Sequence, residues 1–197
     1  MCGLCTLLSA HRNAAEHLEA LEQSLQCMRH RGPDAAGTWH DEDAAFGFNR
    51  LSIIDLEHSD QPLRWGPEDN PERYALTFNG EIYNYVELRE ELSAAGYSFH
   101  TEGDGEPIVV GYHHWGKDVV EHLRGMFGFV IWDTETRTMF AGRDQFGIKP
   151  LYYATTDKGT VFASEMKCIL SMADSMGLDL SLDKRAIEHY VDCLLYT

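Results

Sequence analysis

Tyr74-Ala75-Leu76-Thr77-Phe78-Asn79-Gly80-Glu81-Ile82-Tyr83-Asn84 carries the chain from one kind of structure into another. Residues 74–78 have the aromatic and aliphatic content of a buried strand, and Asn79-Gly80 follows with the dipeptide of a tight turn. Beyond Asn84, Tyr85, Leu88, Leu92 and Ala95 recur at helical spacing, and Gly96 supplies a left-handed stop. The local unit leads from a strand, through Asn79-Gly80, into a helix.

Strands are predicted on either side of this unit, at residues 4–9, 45–54, 128–133, 138–142, 151–154 and 160–164, where apolar stretches are punctuated by Gly, Asp or Pro. A helix is predicted over residues 14–28, with Leu18, Leu21, Leu25 and Met28 on one stripe. Another opens near Pro107 and closes at Gly116, with Ile108, Tyr112 and Trp115 inward. About seven strands against few helices predict an α+β fold of layered sheets covered by helices, not a regular βαβ repeat. Near the end, Asp183 is a possible cap for a helix with Ile187, Tyr190, Val191, Leu194 and Leu195 on one face. Pattern alone fits two readings of that helix: the first element of a second domain, or a terminal helix docking on its own.

The chain has 197 residues, the usual range for one domain, and carries 16 basic against 32 acidic side chains, a net charge of −16. A phosphate backbone or an anionic membrane surface is repelled by such a charge, so nucleic-acid and membrane partners are not expected. No apolar run reaches the roughly 20 residues of a spanning helix, and no secretory leader is visible, so a cytoplasmic protein is expected. The five cysteines, Cys2, Cys5, Cys27, Cys168 and Cys193, are an odd number and are expected as free thiols.

Cys2 is the most informative residue. Removal of Met1 places a thiol and a free amine on one residue, and an α-amine with an ordinary pKa of about 7.7–8.0 can accept the thiol proton near neutral pH. The bland reading is a small buried cysteine at the start of a strand. A rival reading combines the pair Cys2 and Cys5 with the pair Cys27 and His30 as a tetrahedral zinc site in a non-catalytic interaction domain, although a helix and a strand are unusual platforms for such ligands. A redox role for Cys2 and Cys5 lacks the preceding strand it needs.

Asn79 and Gly80, at a strand end, offer two neutral donors for an oxyanion; the ordinary reading is a turn. Arg50 lies in an apolar strand and needs a partner, either a substrate carboxylate or a structural acid. The run Gly103-Asp104-Gly105-Glu106 fits a cap for the helix at Pro107, a loop presenting Asp104 to a substrate ammonium, or both. His30-Arg31-Gly32-Pro33-Asp34 is a charged turn that fits a binding loop or a solvated helix end.

Taken together, these segments closely resemble the glutaminase domain of glutamine-dependent asparagine synthetases, class II amidotransferases of the N-terminal nucleophile hydrolase superfamily. The resemblance runs almost end to end, through Met1-Cys2-Gly3, the His30 to Asp34 segment, Asn49-Arg50-Leu51-Ser52-Ile53-Ile54-Asp55 and Asn79-Gly80-Glu81-Ile82-Tyr83-Asn84. It continues through Gly125-Met126-Phe127-Gly128-Phe129, the segment from Gly142 to Tyr152, and Ser164-Glu165-Met166-Lys167. It implies a four-layer αββα sandwich, with Cys2 as nucleophile, Asn79 and Gly80 as the oxyanion hole, and Arg50, Glu81 and Asp104 holding the α-carboxylate and α-ammonium of L-glutamine. The backbone from Arg50 through Leu51, Ser52 and Ile53 to Ile54 is expected to line the pocket.

Residues 1–175 are then the glutaminase domain, and 176–197 a linker and the start of a C-terminal synthetase domain. Glutamine hydrolysis needs no cofactor or metal; ATP and Mg are expected only in the synthetase half, whose Ser-Gly-Gly-x-Asp-Ser loop is not among these residues. The chain departs from the Cys-Gly-Ile start common in such domains, having Leu4, Cys5 and Thr6, which leaves the packing of the first strand open. Another amidotransferase branch, serving a sugar phosphate or phosphoribosyl acceptor, is the nearer alternative.

Overall fold

The computed structural model describes residues 1–55 and 58–193, and of residues 189 and 191–193 the backbone. Its nine strands among the described residues form two antiparallel sheets. The first has the order β2-β3-β1-β9-β8, built from Ala35–His40, Ala44–Arg50, Gly3–Ser9, Gly159–Ala163 and Tyr152–Thr156. The second has the order β4-β5-β6-β7, from Leu63–Trp65, Tyr74–Ile82, Gly125–Asp133 and Thr138–Arg143.

Side chains alternate between the two faces of each strand, and here both faces are covered. Leu4, Phe46, Phe48, Ala75, Val130 and Trp132 pack between the sheets, where the Thr6 and Thr77 hydroxyls also meet at 3.1 Å. The opposite face of the first sheet, with Cys5, Leu7, Val161 and Ala163, is covered by α1 (Leu18–Cys27), α5 (Met166–Ser171) and α6 (Ala173–Met176). The opposite face of the second, with Leu76, Phe78, Phe129 and Ile131, carries α2 (Tyr85–Ala94), α3 (Glu106–Trp115) and α4 (Val119–His122). Helix, sheet, sheet, helix is the four-layer αββα sandwich. Strands with two buried faces explain why the sequence shows near-continuous apolar runs instead of strict alternation.

Several boundaries move. The strand predicted at 74–78 runs on to Ile82, so Asn79-Gly80 lies within a strand and is not a turn. The one predicted at 45–54 ends at Arg50, which leaves 51–54 irregular. Residues 14–17 form a 3-10 turn before α1. The strands β2 and β4 and the helices α4, α5 and α6 were not foreseen.

Gly96 and Gly116 do end α2 and α3 at positive φ, 99° and 63°. Asp183 caps α7 (Lys184–Cys193), its Oδ1 accepting from the N–H of Arg185 at 2.9 Å and of Ala186 at 3.3 Å. Of the apolar face predicted there, Ile187 and Tyr190 are exposed, whereas Val191, Leu194 and Leu195 lie outside the described side chains. No helix among the described residues is long and apolar enough to cross a membrane.

Candidate active site

Cys2 sits just before β1, at the end of the sandwich where β3 gives way to the irregular segment after Arg50. Its half-buried thiol lies against Leu51, whose N–H is 3.3 Å and whose carbonyl is 3.5 Å from Sγ. Burial pushes the thiol's pKa up; the Leu51 N–H, the positive chain terminus, Arg50 and Arg31 pull it back in part, and the net is still a raised value. Such a thiol needs a base close by before it can attack.

The carbonyl of Cys2 is held by Arg31 Nε at 2.8 Å. Arg31 in turn pairs with Glu165 at 3.3 Å, and Glu165 also takes His30 at 3.0 Å and Lys167 at 2.8 Å. The His30 to Asp34 turn, exposed at His30, Pro33 and Asp34, is tied to the site through Arg31. It supports the site from behind, with Asp34 Oδ2 accepting the Ser52 N–H at 2.8 Å. Gly32 is required there, since a Cβ would fall 2.3 Å from the backbone of Asn49.

On the facing sheet, β5 brings Asn79, Gly80 and Glu81 to the same cleft. Asn79 is buried, and its Nδ2 has no hydrogen-bond partner among the described residues. β4 covers β5 only as far as Leu76. Beyond it the side chain of Gln61 takes over, its Oε1 accepting the Phe78 N–H at 2.6 Å and its Nε2 donating to the Phe78 carbonyl at 3.1 Å. Further on, Asp104 Oδ2 accepts the Ile82 N–H at 2.9 Å. By the alternation of an antiparallel strand, the Gly80 N–H between them points to the same open edge, into the cleft. A Cβ on Gly80 would meet the Met126 carbonyl at 2.2 Å, so the close approach of β6 requires glycine.

Cys2, Arg50, Leu51, Ile53, Ile54, Asn79, Gly80, Glu81 and Asp104 all line this cleft. Ser52, the remaining predicted residue, does not; its N–H is turned to Asp34. Arg50 has internal partners, Asp60 Oδ1 at 2.9 Å and the carbonyl of Asp55. Asp60 is exposed, 79% by side chain, so that ion pair can be exchanged for another carboxylate at little cost.

Asp104 does not cap α3, whose cap residue is Gly105 without a side-chain bond. Burial raises its pKa and Glu81 adds to the rise, against the opposing N–H bonds of Ile82 and of its own backbone. Asp55 joins the two loops that wall the cleft. Its carboxylate takes the Glu102 N–H at 2.8 Å, the Ser59 hydroxyl at 2.9 Å and the His58 N–H at 3.1 Å. Burial alone would raise its pKa, but these bonds outweigh it and draw the value down to about 2.

The zinc arrangement is not formed. Cys5 points to the helix layer on the opposite face of β1 from Leu4, its Sγ 3.5 Å from Met172 Sδ, and burial pushes its thiol up to about 12. Cys27 is exposed, and His30 pairs with Glu165. Among the described residues no group of three or more His, Cys, Asp or Glu side chains is placed to hold a metal. The sequence reading missed Ser59, Gln61, Glu106 and Lys149, which also line the cleft.

Residues 1–197 match the family model described as a glutamine amidotransferase domain. The chain belongs to this family. The amidotransferase domain is 54% identical over 201 residues to a Mycobacterium bovis protein named for glutamine-hydrolysing asparagine synthetase, which covers 96% of the chain and 31% of that protein. It is 45% identical over 193 residues to asparagine synthetase [glutamine-hydrolyzing] 1 of Bacillus subtilis, covering 97% of the chain and 29% of the relative. The chain therefore spans less than a third of the length of these relatives.

Among solved structures, the glutamine phosphoribosylpyrophosphate amidotransferase of B. subtilis matches with a TM-score of 0.68 at 21% identity, over 89% of this chain and 44% of that one. A structure of the allosteric regulatory enzyme of purine biosynthesis gives a TM-score of 0.71, also at 21% identity, over 87% of this chain and 43% of that one. These two establish the fold. By its family the chain is an enzymatic domain, a glutamine amidotransferase.

Proposed function

We propose that Cys2, once Met1 is removed, is the nucleophile that cleaves the side-chain amide of L-glutamine, and that the ammonia serves ATP-dependent synthesis of asparagine from aspartate in a longer protein. The α-amine of Cys2 takes the thiol proton. Sulfur then bonds to the amide carbon, and the carbonyl electron pair moves onto oxygen, where Asn79 Nδ2 and the Gly80 N–H stabilise it. When the carbon–nitrogen bond breaks, the nitrogen takes the proton from the α-ammonium and leaves as ammonia. Water, deprotonated by the same amine, attacks the γ-glutamyl thioester, and glutamate departs as the thiol is restored. Arg50 holds the substrate α-carboxylate, and Glu81 and Asp104 hold its α-ammonium.

One observation carries this reading: the buried Asn79 Nδ2 has no partner among the described residues, in the same cleft as the thiol. A buried donor left unpaired costs about 1–3 kcal/mol, and a negative charge arriving only during reaction recovers it. Met1 also lines the cleft, and while it remains attached the nitrogen of Cys2 is an amide that cannot act as base. Asparagine as the product rests on the names of the longer relatives. ATP and Mg are assigned to the remainder of such a protein, beyond a boundary placed near residue 175, and its location to the cytoplasm.

The test pairs mass spectrometry with ammonia release on samples of known processing. Met1-free protein is expected to release ammonia from glutamine, with activity rising with pH as the α-ammonium deprotonates. Equal turnover by Met1-retaining protein would eliminate the amine as base.

A further inference from the structure

Lys149 is only 7% exposed, yet it lines the glutamine cleft. Its ammonium makes no hydrogen bond or ion pair with any described residue. Its backbone is firmly placed, with the N–H on Asp144 Oδ2 at 3.0 Å and the carbonyl taken by Arg143 Nε at 2.7 Å. The stem of Lys149 is packed away while its ammonium, not itself enclosed, opens to the cleft with no acceptor in the fold, which leaves its charge available to an anion that enters there.

Its place in the fold says which charge. Asp144 Oδ2 also accepts the N–H of Phe127 at 3.2 Å, and the Asp144 N–H donates to the Phe127 carbonyl at 2.8 Å. Phe127 is the cross-strand partner of Gly80. The residues just after Lys149 rest on the next pair: a Cβ built on Gly128 would lie 3.5 Å from both the Pro150 carbonyl and Leu151 Cβ, and Gly128 is the partner of Asn79. Cross-strand partners share a face, so Pro150 and Leu151 lie on the face of the second sheet that carries the Asn79 side chain. The chain on either side of Lys149 is thus anchored to the cross-strand partners of Gly80 and Asn79, the two residues assigned to the oxyanion, and Lys149 lines the cleft they share.

We propose that Lys149 is a third catalytic group at the oxyanion site, its ammonium stabilising the charge that forms on the glutamine amide oxygen when Cys2 attacks. It gives up no proton and forms no bond; its charge acts only while that oxygen is negative. The inference rests on the assignment of Cys2 as nucleophile and of Asn79 and Gly80 as its oxyanion donors.

The test uses Met1-free protein in four forms: wild type, Cys2→Ala, Lys149→Met and Lys149→Arg. Lys149→Met is expected to lower kcat on glutamine about a hundredfold, the loss typical of one oxyanion donor, with KM within about twofold. Its affinity for the aldehyde analogue of glutamine, which forms a tetrahedral adduct on the thiol, should fall with kcat, while glutamate binding stays at the wild-type level. Lys149→Arg should recover most of the activity. The thermal midpoint of Lys149→Met should stay at that of wild type, since the ammonium bonds to nothing in the fold.

Unchanged kcat, a rise in KM matched by weaker glutamate binding, or a lowered thermal midpoint would each overturn the assignment, the last two making Lys149 a substrate clamp or a structural residue. An inactive wild type, or a fully active Cys2→Ala, would instead overturn the underlying reading and this inference with it.

Discussion

Replacing Asp104 by Asn separates substrate recognition from folding at one position. In the wild type Oδ2 accepts the Ile82 N–H at 2.9 Å, a bond the amide oxygen of Asn can keep. What the change removes is the charge. A charge-assisted hydrogen bond to the glutamine ammonium is worth about 1.5–3 kcal/mol, or roughly ten- to a hundredfold in binding. Because Glu81 lines the same end of the cleft and still offers a carboxylate, the single variant should sit near tenfold in KM. Adding Glu81→Gln should bring the rise towards a hundredfold.

Stability should move the other way. Burial raises the folded-state pKa of Asp104 above its unfolded value, so the folded protein favours the protonated acid. The ionised form is thus a cost that is absent below the unfolded pKa and develops as pH rises through the folded one. Asp104→Asn should therefore match wild type in thermal stability in acid and exceed it at neutral pH. Glutamate production against glutamine concentration gives KM, and thermal unfolding at the two pH values gives the stability difference. An unchanged KM in folded protein, or a variant less stable than wild type at neutral pH, would refute the reasoning.

Asn79→Ala removes a donor that matters only when the amide oxygen becomes negative, so kcat should fall about 10²–10³-fold while KM changes little; a steady-state assay showing a KM effect alone would contradict this role. Asp144 gathers the N–H groups of Phe127, Phe146, Ile148 and Lys149, and although burial opposes ionisation, these bonds hold its pKa below the ordinary value. Its contribution to stability is therefore present above the unfolded pKa and lost as pH falls through the folded one, so Asp144→Asn should be less stable than wild type at neutral pH, with the gap closing in acid. The same variant should lower kcat by loosening Lys149, and both effects can be read from thermal melts and ammonia release on one sample.

The layers were legible in the apolar runs. Residues 4–9, 128–133 and 160–164 are short apolar stretches of strand length bounded by turn residues, and Gly96 and Gly116 mark helix ends by a conformation few other residues adopt. β2 escaped notice since Ala35–His40 lies largely exposed and carries little apolar patterning, and β4 because three residues are too few for a period. The ordinary reading of Asn79-Gly80 as a turn fails for a physical reason: its local preference is for a turn, but Gln61 and the β6 ladder hold the strand extended. The glycine that signals a turn in sequence is needed in the fold for close approach to Met126.

The same conflict explains which site residues the chain reveals. Cys2, Arg50 and Asp104 stand out because a thiol at the second position, a guanidinium in an apolar strand and an acid between glycines each break a local pattern. Lys149, between Ile148 and Pro150, breaks none, and a lysine in a loop reads as solvated; only the sandwich shows it buried and without a partner. Asn79 Nδ2 is buried with no acceptor among the described residues, in the cleft that Cys2 and Lys149 also line. A core that satisfied it would be more stable and would have nothing left to offer a developing oxyanion. The stability lost at Asn79 is thus the structural trace of the reaction, and replacing that residue should raise the melting temperature or leave it unchanged while it lowers kcat.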